Sequence, residues 1–413
     1  MSEFFDILET RPPEQREAEL FTLLSAQVAH AQESAPAVAD MLAGVDATTL
    51  VHRSVLEKLP LLQKSELIER QKQTPIFGGL TSLAPPELGQ IFVSPGPIFE
   101  PGARRPDFWR FSRALYAAGL RGGETVQNCF SYHFTPAGMM FESGAHALGC
   151  AVVPAGVGQT DLQVQVMQHV RPQAYVGTPS FLKLIIDKAD ELGADISCLS
   201  KALVSGEYLP PSLREFFSVR GIAVLQCYAT ADLGLIAYES PARDGLIVDE
   251  GIILEIVRPG TGDPVADGEV GEVVVTSLSP EYPLLRFATG DLSAFLPGMS
   301  PCGRTNRRIK GWMGRADQTA KIRGMFVRPT QVAEVLRQHP ELIKGRLVVE
   351  RINDADSMVL HCELAAGVSA PPAEEIVATI RKICNLRGEV VFVSAGTLAN
   401  DGKVIDDLRP IED

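Results

Sequence analysis

The first part of the chain has apolar residues at the spacing of an α-helix. Leu20, Leu23, Leu24 and Val28 follow a helix start signal, the segment PPEQRE at 12–17. Because residues three or four positions apart lie on the same helix face, this spacing predicts a helix over residues 12–33 with one buried side.

From about residue 90, short β-rich runs alternate with helical stretches of 10–15 residues. The runs begin near residues 91, 125, 150, 174, 201 and 222. Apolar strands separated by helices are typical of a parallel sheet that is covered on both faces. After Tyr238 the runs are separated by turns rich in glycine and aspartate, which predicts antiparallel strands.

Residues 311–324 contain three glycines and no sustained periodicity, which is typical of a hinge. Beyond them, about 90 residues predict a small α+β lobe. The fold class is therefore predicted as α/β, with helices covering mixed and parallel sheets and with a β-rich subdomain. We expect an N-terminal domain at 1–314, a hinge at 315–317 and a mobile C-terminal lobe at 318–413.

Composition narrows the classes of function. The 413 residues carry a net charge of −13, which disfavours binding to nucleic acids or to anionic membranes because the phosphates would be repelled. No apolar run approaches the roughly 20 residues of a spanning helix, and the acidic N-terminus is unlike a signal peptide. Seven scattered cysteines without a CxxC pair predict reduced thiols and no zinc site. We expect a soluble cytoplasmic protein.

One basic segment departs from this acidic background. Residues 304–328 contain eight lysines and arginines and one acid, Asp317. A basic segment at an interdomain hinge is consistent with a phosphate-bearing small ligand in a cleft, and equally with a solvated linker.

Five short motifs follow one another along the chain. They are SGEYLPP at 205–211, QCYATADLG at 226–234, ATGDL at 288–292, GRADQTAKIRG at 314–324 and TLANDGKVIDD at 397–407. This order resembles the adenylate-forming ligases, and among them the phenylacetate–coenzyme A ligase branch. The resemblance covers about residues 90–410, and five motifs in order are far more specific than any one of them.

The resemblance implies that ATP activates a carboxylic acid as an acyl-adenylate, which then passes to coenzyme A. Lys403 matches the family's catalytic lysine, and an ammonium there could bridge the substrate carboxylate and the α-phosphate. Asp291 matches the acid that receives the ribose hydroxyls, and Arg315 matches the arginine that also reaches the nucleotide. Asp317 matches the residue about which the small lobe swings.

The resemblance also places the adenine and the acid. Gly206 and Glu207 match the strip along the adenine, and Tyr228 matches the aromatic residue beside it, although a core tyrosine is a serious alternative. The acyl pocket is matched by segment 130–138, whose candidate residues are Tyr132, His133, Phe134 and Gly138. An aromatic slot with a glycine floor suits a flat aromatic acid, but aromatic stripes are more often plain core.

Two segments depart from the family pattern where ATP phosphates are bound. The family's phosphate loop is rich in glycine and hydroxyl residues and ends in Lys-Pro, whereas this chain has SPGPIFEP from Ser94 through Gly96 to Glu100 and Pro101. A carboxylate facing the triphosphate would weaken ATP binding, unless neighbouring arginines offset it. The family's magnesium-binding glutamate is replaced by Asp232, the candidate Mg²⁺ ligand.

Three functions remain open at this point. The leading hypothesis is an aryl-acid–coenzyme A ligase that uses ATP, Mg²⁺ and coenzyme A. The second is an acyltransferase between coenzyme A and a carrier thiol that does not use ATP, and the third is a catalytically silent ligand-binding homologue. Homodimers are usual in the family that the chain resembles.

Overall fold

The computed structural model describes residues 3–316, 318–323, 325–352, 355–365 and 367–409, so Asp317 lies outside the described residues. The chain divides into two compact units. The first comprises Met1–Leu254, Val275–Phe287 and Leu296–Trp312, and the second comprises Glu255–Val274, Ala288–Phe295 and Met313–Asp413. The predicted C-terminal lobe thus clusters with two segments from the middle of the chain. The boundary at 314 and the movement of a lobe stay predictions.

The helices of the first unit include the long N-terminal helix that the apolar spacing predicts. They are α1 Pro13–Ser34, α2 Pro36–Met41, α3 Arg53–Leu56, α4 Leu67–Gln73, α5 Phe111–Ala117, α6 Ala137–Ala147, α7 Thr160–Val170, α8 Pro179–Leu192 and α9 Pro211–Val219. Short 3₁₀ helices span Ile7–Thr10, Ala47–Thr49, Lys64–Glu66 and Pro85–Glu87. The second unit adds α10 Pro329–Gln338 and α11 Ala373–Cys384.

The strands follow the same chain order. They are β1 Leu62–Gln63, β2 Gln90–Ser94, β3 Ile98–Gly102, β4 Thr125–Asn128, β5 Ala151–Pro154, β6 Ala174–Gly177, β7 Lys201–Val204, β8 Ala223–Thr230, β9 Gly234–Glu239, β10 Leu246–Val248 and β11 Ile252–Val257. They continue with β12 Gly271–Ser277, β13 Phe287–Ser293, β14 Phe295–Leu296, β15 Arg308–Ile309, β16 Ala320–Ile322, β17 Met325–Val327, β18 Leu342–Ile352, β19 Ala355–Leu364, β20 Glu389–Val393 and β21 Ile405–Asp407.

The largest sheet of the described residues has the order β14-β15-β10-β9-β8-β7-β6-β4-β5. Its half from β5 to β8 is parallel, and its half from β8 to β15 is antiparallel. The change occurs after Thr230, where the chain returns directly as β9 without a helical crossover. The predicted α/β class, with a parallel sheet followed by antiparallel strands, is confirmed.

Three further arrangements position candidate residues. The strands β1, β13, β12 and β11 form a four-stranded sheet in that order, while β2 and β3 form a separate antiparallel hairpin. In the second unit, the sheet order β20-β19-β18-β21 surrounds a core that includes Val349, Leu360 and Ile405. The strand β21 is parallel to β18 and begins two residues after Lys403.

Helices α5 and α6 approach so closely at Gly144 that a side chain there has no room. A Cβ atom would lie 2.7 Å from Cβ of Phe111 and 2.8 Å from the backbone nitrogen of Ser112. Because close-packed interiors do not yield readily, an added side chain must displace a neighbouring backbone.

We therefore expect Gly144→Val to destabilise the protein by about 1–3 kcal/mol, the usual cost of overpacking. The measurement is the thermal midpoint of unfolding, compared with that of His146→Val. His146 is exposed on the same helix, so this control adds the same side chain without the clash. Equal midpoints for the two variants would contradict the close approach.

Candidate functional site

In the second unit, Asp291 and Arg315 lie side by side. The Nη1 group of Arg315 donates to Oδ1 of Asp291 at 2.8 Å, and the two residues also form an isolated antiparallel bridge. Gly290 makes room for the guanidinium, since a Cβ at that position would lie 2.7 Å from Nη2 of Arg315. Asp291 is buried while the Arg315 side chain is half-exposed, so the pair presents a carboxylate and a cation together.

The segment that carries Lys403 packs against the strand that carries Asp291. A Cβ at Gly402 would lie 2.8 Å from Cγ1 of Val270 and 3.2 Å from Cδ1 of Leu292, which directly follows Asp291. The ammonium of Lys403 is half-exposed and donates to Oδ1 of Asp406 at 2.8 Å. Thus, within one unit, the structure brings together the segments of three residues that the sequence separates widely.

One residue of this site carried no recognised signal in the sequence. The amide of Gln318 donates from Nε2 to the carbonyl of Gly402 at 2.9 Å, and its Oε1 accepts from the backbone nitrogens of Val404 and Ile405 at 2.5 and 2.8 Å. The three hydrogen bonds bracket Lys403. Gln318 lies one residue beyond the predicted hinge, and that position was the available hint.

In the first unit, the predicted adenine residues follow adjacent parallel strands. Gly206 and Glu207 come after β7, while Tyr228 is buried near the end of β8. Glu207 is exposed, and its Oε2 accepts from the backbone nitrogen of Ser180 at 3.3 Å. The carboxyl ends of neighbouring parallel strands meet at one sheet edge, which is where open α/β sheets bind ligands.

The predicted acyl segment follows β4 at that same edge. The hydroxyl of Tyr132 donates to Oε2 of Glu142 at 2.7 Å and accepts from Asn128 at 2.8 Å, and burial raises the pKa of Tyr132. Its ring lies over Gly138, where a Cβ would be 2.8 Å from ring atoms. The structure therefore brings Tyr132 and Gly138 together, whereas the side chains of His133 and Phe134 are exposed.

The degenerate phosphate loop is the β2–β3 hairpin, and its charged residue points inward. Glu100 is only 1% exposed, and Ser94 donates a hydrogen bond to its Oε1. Asp232 lies in the same buried cluster, where its Oδ2 accepts from Nζ of Lys64 at 2.6 Å. Three buried atoms of the cluster have no hydrogen-bond partner: Oε2 of Glu100, Oδ1 of Asp232 and the hydroxyl of Tyr282.

Burial raises the pKa of Glu100 to about 7. The nearby charge of Asp232 adds to the increase, while the hydrogen bond from Ser94 and the charge of Lys64 oppose it. A carboxyl group with this pKa carries only part of a negative charge near neutral pH.

The two arginines after the hairpin have other partners. Arg105 donates to Glu281 at 2.9 Å, and Arg104 donates to the carbonyl oxygens of Leu88 and Pro86. The structure therefore directs both guanidinium groups to the protein itself.

A magnesium ion is implied by the family resemblance, and the chemistry of Asp232 suits it in part. Its unpartnered, buried Oδ1 is the hard oxygen ligand that Mg²⁺ prefers, whereas Oδ2 is held by Lys64. Across the described parts of the chain, no three His, Cys, Asp or Glu side chains cluster as a metal site. Mg²⁺ is commonly held by one or two carboxylates together with substrate phosphates, so Asp232 stays a predicted ligand.

Comparison with known proteins decides the family. The AMP-binding enzyme family matches residues 109–279. A phenylacetate–coenzyme A ligase of Thermus thermophilus is 32% identical over 387 residues, which cover 89% of this chain and 85% of the relative. The chain belongs to the phenylacetate–coenzyme A ligase family.

Other relatives agree with this membership, which the order of the five motifs predicts. The phenylacetate–coenzyme A ligase of Escherichia coli is 31% identical over 73% of this chain and 72% of its own length. A crystal structure of 2-hydroxyisobutyryl-CoA ligase with 2-HIB-AMP and CoA has a TM-score of 0.72 at 23% identity, covering 99% of this chain and 93% of that one. The fold is therefore that of the adenylate-forming ligases, while the roles of individual site residues stay predictions.

Two other findings concern the helices and the cysteines of this ligase-family chain. Among the residues that the structure describes, no helix combines the length and apolarity required to cross a membrane. None of the seven cysteines forms a disulfide in the part of the chain that the structure describes.

The Gln318 contacts predict a local change when the amide is removed. In Gln318→Ala we expect the backbone amides of Val404 and Ile405 to exchange hydrogen roughly two- to tenfold faster, since each lost hydrogen bond is worth about 0.5–1.5 kcal/mol. Hydrogen exchange with mass spectrometry measures this for segment 402–405. The matched control is Gln338→Ala, whose amide contacts Glu334 on an exposed helix surface. Unchanged hydrogen exchange in Gln318→Ala would contradict the hydrogen bonds of Gln318 to this segment.

The raised pKa of Glu100 predicts a pH-dependent stability. In the unfolded chain this carboxyl group ionises near 4.5, but in the folded protein ionisation is opposed up to about 7. Stability contributed by protonated Glu100 is therefore complete below pH 4.5 and is lost as the pH rises through 7.

We expect Glu100→Gln to gain stability relative to wild type as the pH increases from about 5 to about 8, by at most about 3 kcal/mol. Denaturant unfolding at each pH measures the difference. Glu87→Gln, at an exposed position, serves as the control. A difference between Glu100→Gln and wild type that does not vary with pH would contradict the burial of this group.

Proposed function

We propose that the protein is an aryl-acid–coenzyme A ligase. It activates an aromatic carboxylic acid with ATP as an acyl-adenylate and transfers the acyl group to coenzyme A. The relatives named phenylacetate–coenzyme A ligase match over most of their length, which supports this reaction. The observation that carries the proposal is the packing of the Lys403 segment against the strand of Asp291, beside Arg315.

The first half-reaction joins two anions, so cations must reduce the repulsion between them. A carboxylate oxygen of the acid attacks the α-phosphorus, and pyrophosphate leaves with the electron pair of the broken P–O bond. Lys403 bridges the substrate carboxylate and the α-phosphate, and Arg315 adds a second cation. Asp291 accepts hydrogen bonds from the ribose hydroxyls, as an ionised carboxylate beside a diol can do.

Residues of the first unit have roles of their own in this proposal. Gly206, Glu207 and Tyr228 lie along the adenine. The acid enters beside Tyr132 and Gly138, with the exposed rings of His133 and Phe134 at the rim. Mg²⁺, when bound through Asp232, neutralises phosphate charge.

The second half-reaction requires a different arrangement of the Lys403 segment. The thiolate of coenzyme A attacks the acyl carbonyl carbon, and AMP leaves as the C–O bond breaks. In this proposal the lobe at 318–413 turns about Asp317 between the two steps, which removes Lys403 from the acyl-adenylate. A cytoplasmic location and a homodimer are further parts of the proposal.

A second candidate function has one structural observation in its favour. The β2–β3 hairpin contains Pro95 and Pro97, which have no backbone N–H to donate to a phosphate, and the hydroxyl of Ser94 donates to Glu100 instead. A site that binds a triphosphate poorly is compatible with ATP-independent acyl transfer between coenzyme A and a carrier thiol.

The proposal is tested by incubating the protein with ATP, Mg²⁺, coenzyme A and a panel of aromatic acids. Mass spectrometry should detect an aryl-coenzyme A and an equal amount of AMP. Thioester formation from a preformed acyl donor without ATP, and none from free acid, would support the second candidate and contradict the first.

The role of Lys403 makes a separate prediction. Lys403→Ala should slow acyl-adenylate formation by two or more orders of magnitude, because losing one aimed charge typically costs roughly 2.7–4 kcal/mol of transition-state stabilisation. Thioester formation from supplied acyl-adenylate should be much less affected, as single-turnover kinetics of each half-reaction will show. Lys382→Ala, on helix α11, is the control. An equal loss in both half-reactions would refute the assigned role.

A further inference from the structure

Lys64 lies beside both segments that depart from the family pattern, the β2–β3 hairpin with Glu100 and the segment after β8 with Asp232. It follows the edge strand β1, which is fixed by the hydrogen bond from the backbone nitrogen of Leu62 to the carbonyl of Arg286 at 3.1 Å. From there its ammonium reaches Oδ2 of Asp232 at 2.6 Å and interacts electrostatically with Glu100. Lys64 lies outside the five sequence motifs.

The ion pair has a buried end and an end that reaches solvent. The side chain of Asp232 is 0% exposed, whereas that of Lys64 is 27% exposed. An ammonium has three hydrogens to donate, and the bond to Asp232 takes one of them. An anion that approaches from solvent can therefore bind the same ammonium while Asp232 holds it in place.

The hairpin beside Lys64 offers little else to an anion. Pro95 and Pro97 have no N–H, and the hydroxyl of Ser94 is directed to Glu100. The guanidinium groups of Arg104 and Arg105 are engaged with other parts of the protein. A cation delivered from outside the hairpin would compensate for these losses.

We propose that Lys64 binds the terminal phosphates of ATP in this protein, with Asp232 as the residue that positions it. The assignment rests on the proposed use of ATP. It implies that the lysine missing from the hairpin has been replaced by one from a separate segment, so that the altered loop and ATP binding are compatible.

The test compares the affinities of ATP and AMP, since AMP lacks the terminal phosphates. Calorimetric titrations use wild type, Lys64→Met and Lys64→Arg, in magnesium buffer and again with EDTA. Lys64→Met should weaken the binding of ATP at least about tenfold and change the binding of AMP less than about twofold. Only ATP has the terminal phosphates that accept the charged hydrogen bond from Lys64. Lys64→Arg keeps the charge, so its affinity for ATP should lie within about threefold of the wild-type value. Lys72→Met, at an exposed position on α4, is the control and should match wild type.

Lys64→Met leaves Asp232 buried without a cation, which can impair folding. The double variant Lys64→Met/Asp232→Asn removes both charges, and its unfolding midpoint should approach that of wild type while its ATP affinity stays low in both buffers. If the folded variants lose affinity for ATP and AMP equally, or lose affinity for neither, the role of Lys64 is refuted and the proposed ligase function stands. If wild type binds neither nucleotide, the proposed function itself fails and this assignment fails with it.

Discussion

A carboxylate as completely buried as that of Asp232 requires a cation beside it, and Lys64 supplies that cation at 2.6 Å. This ion pair links the segment after β8 to the segment after β1. The β2–β3 hairpin completes the cluster through Glu100, whose raised pKa allows it to remain next to Asp232 without a full second charge. The charges of Lys64, Asp232 and Glu100 together determine how this part of the first unit can interact with the phosphates of ATP.

Local pattern was sufficient for much of the fold. The helix at Pro13–Ser34 follows from its apolar spacing, and the loss of intervening helices predicts antiparallel strands after Tyr238. The structure begins them one strand earlier, because β8 is followed directly by the antiparallel strand β9 after Thr230. Motif order predicted the family, because the spacing of several short motifs is far more specific than the composition of any one. The closeness of Lys403 to the strand of Asp291 could be inferred from the resemblance alone, since more than 100 residues separate them in the chain.

The sequence could not reveal which way individual polar side chains point. Glu100 replaces a lysine of the family's phosphate loop, and its sequence position alone suggests that its carboxylate repels ATP. In the structure Glu100 pairs with Phe92 of β2, and its carboxyl group is buried. Gln318 was missed because its three hydrogen bonds go to backbone atoms 84 to 87 residues away. Lys64 was missed for the same reason, since its partner Asp232 is 168 residues distant.

The central claim is that this ligase-family protein still activates acids with ATP despite its altered phosphate hairpin. The most direct measurement is isotope exchange between pyrophosphate and ATP, recorded for each of a panel of aromatic acids without coenzyme A. We predict exchange that depends on the acid and requires no thiol, because acyl-adenylate formation is reversible and precedes thioester formation. No exchange with any acid, from a protein that is folded and binds AMP, would contradict it.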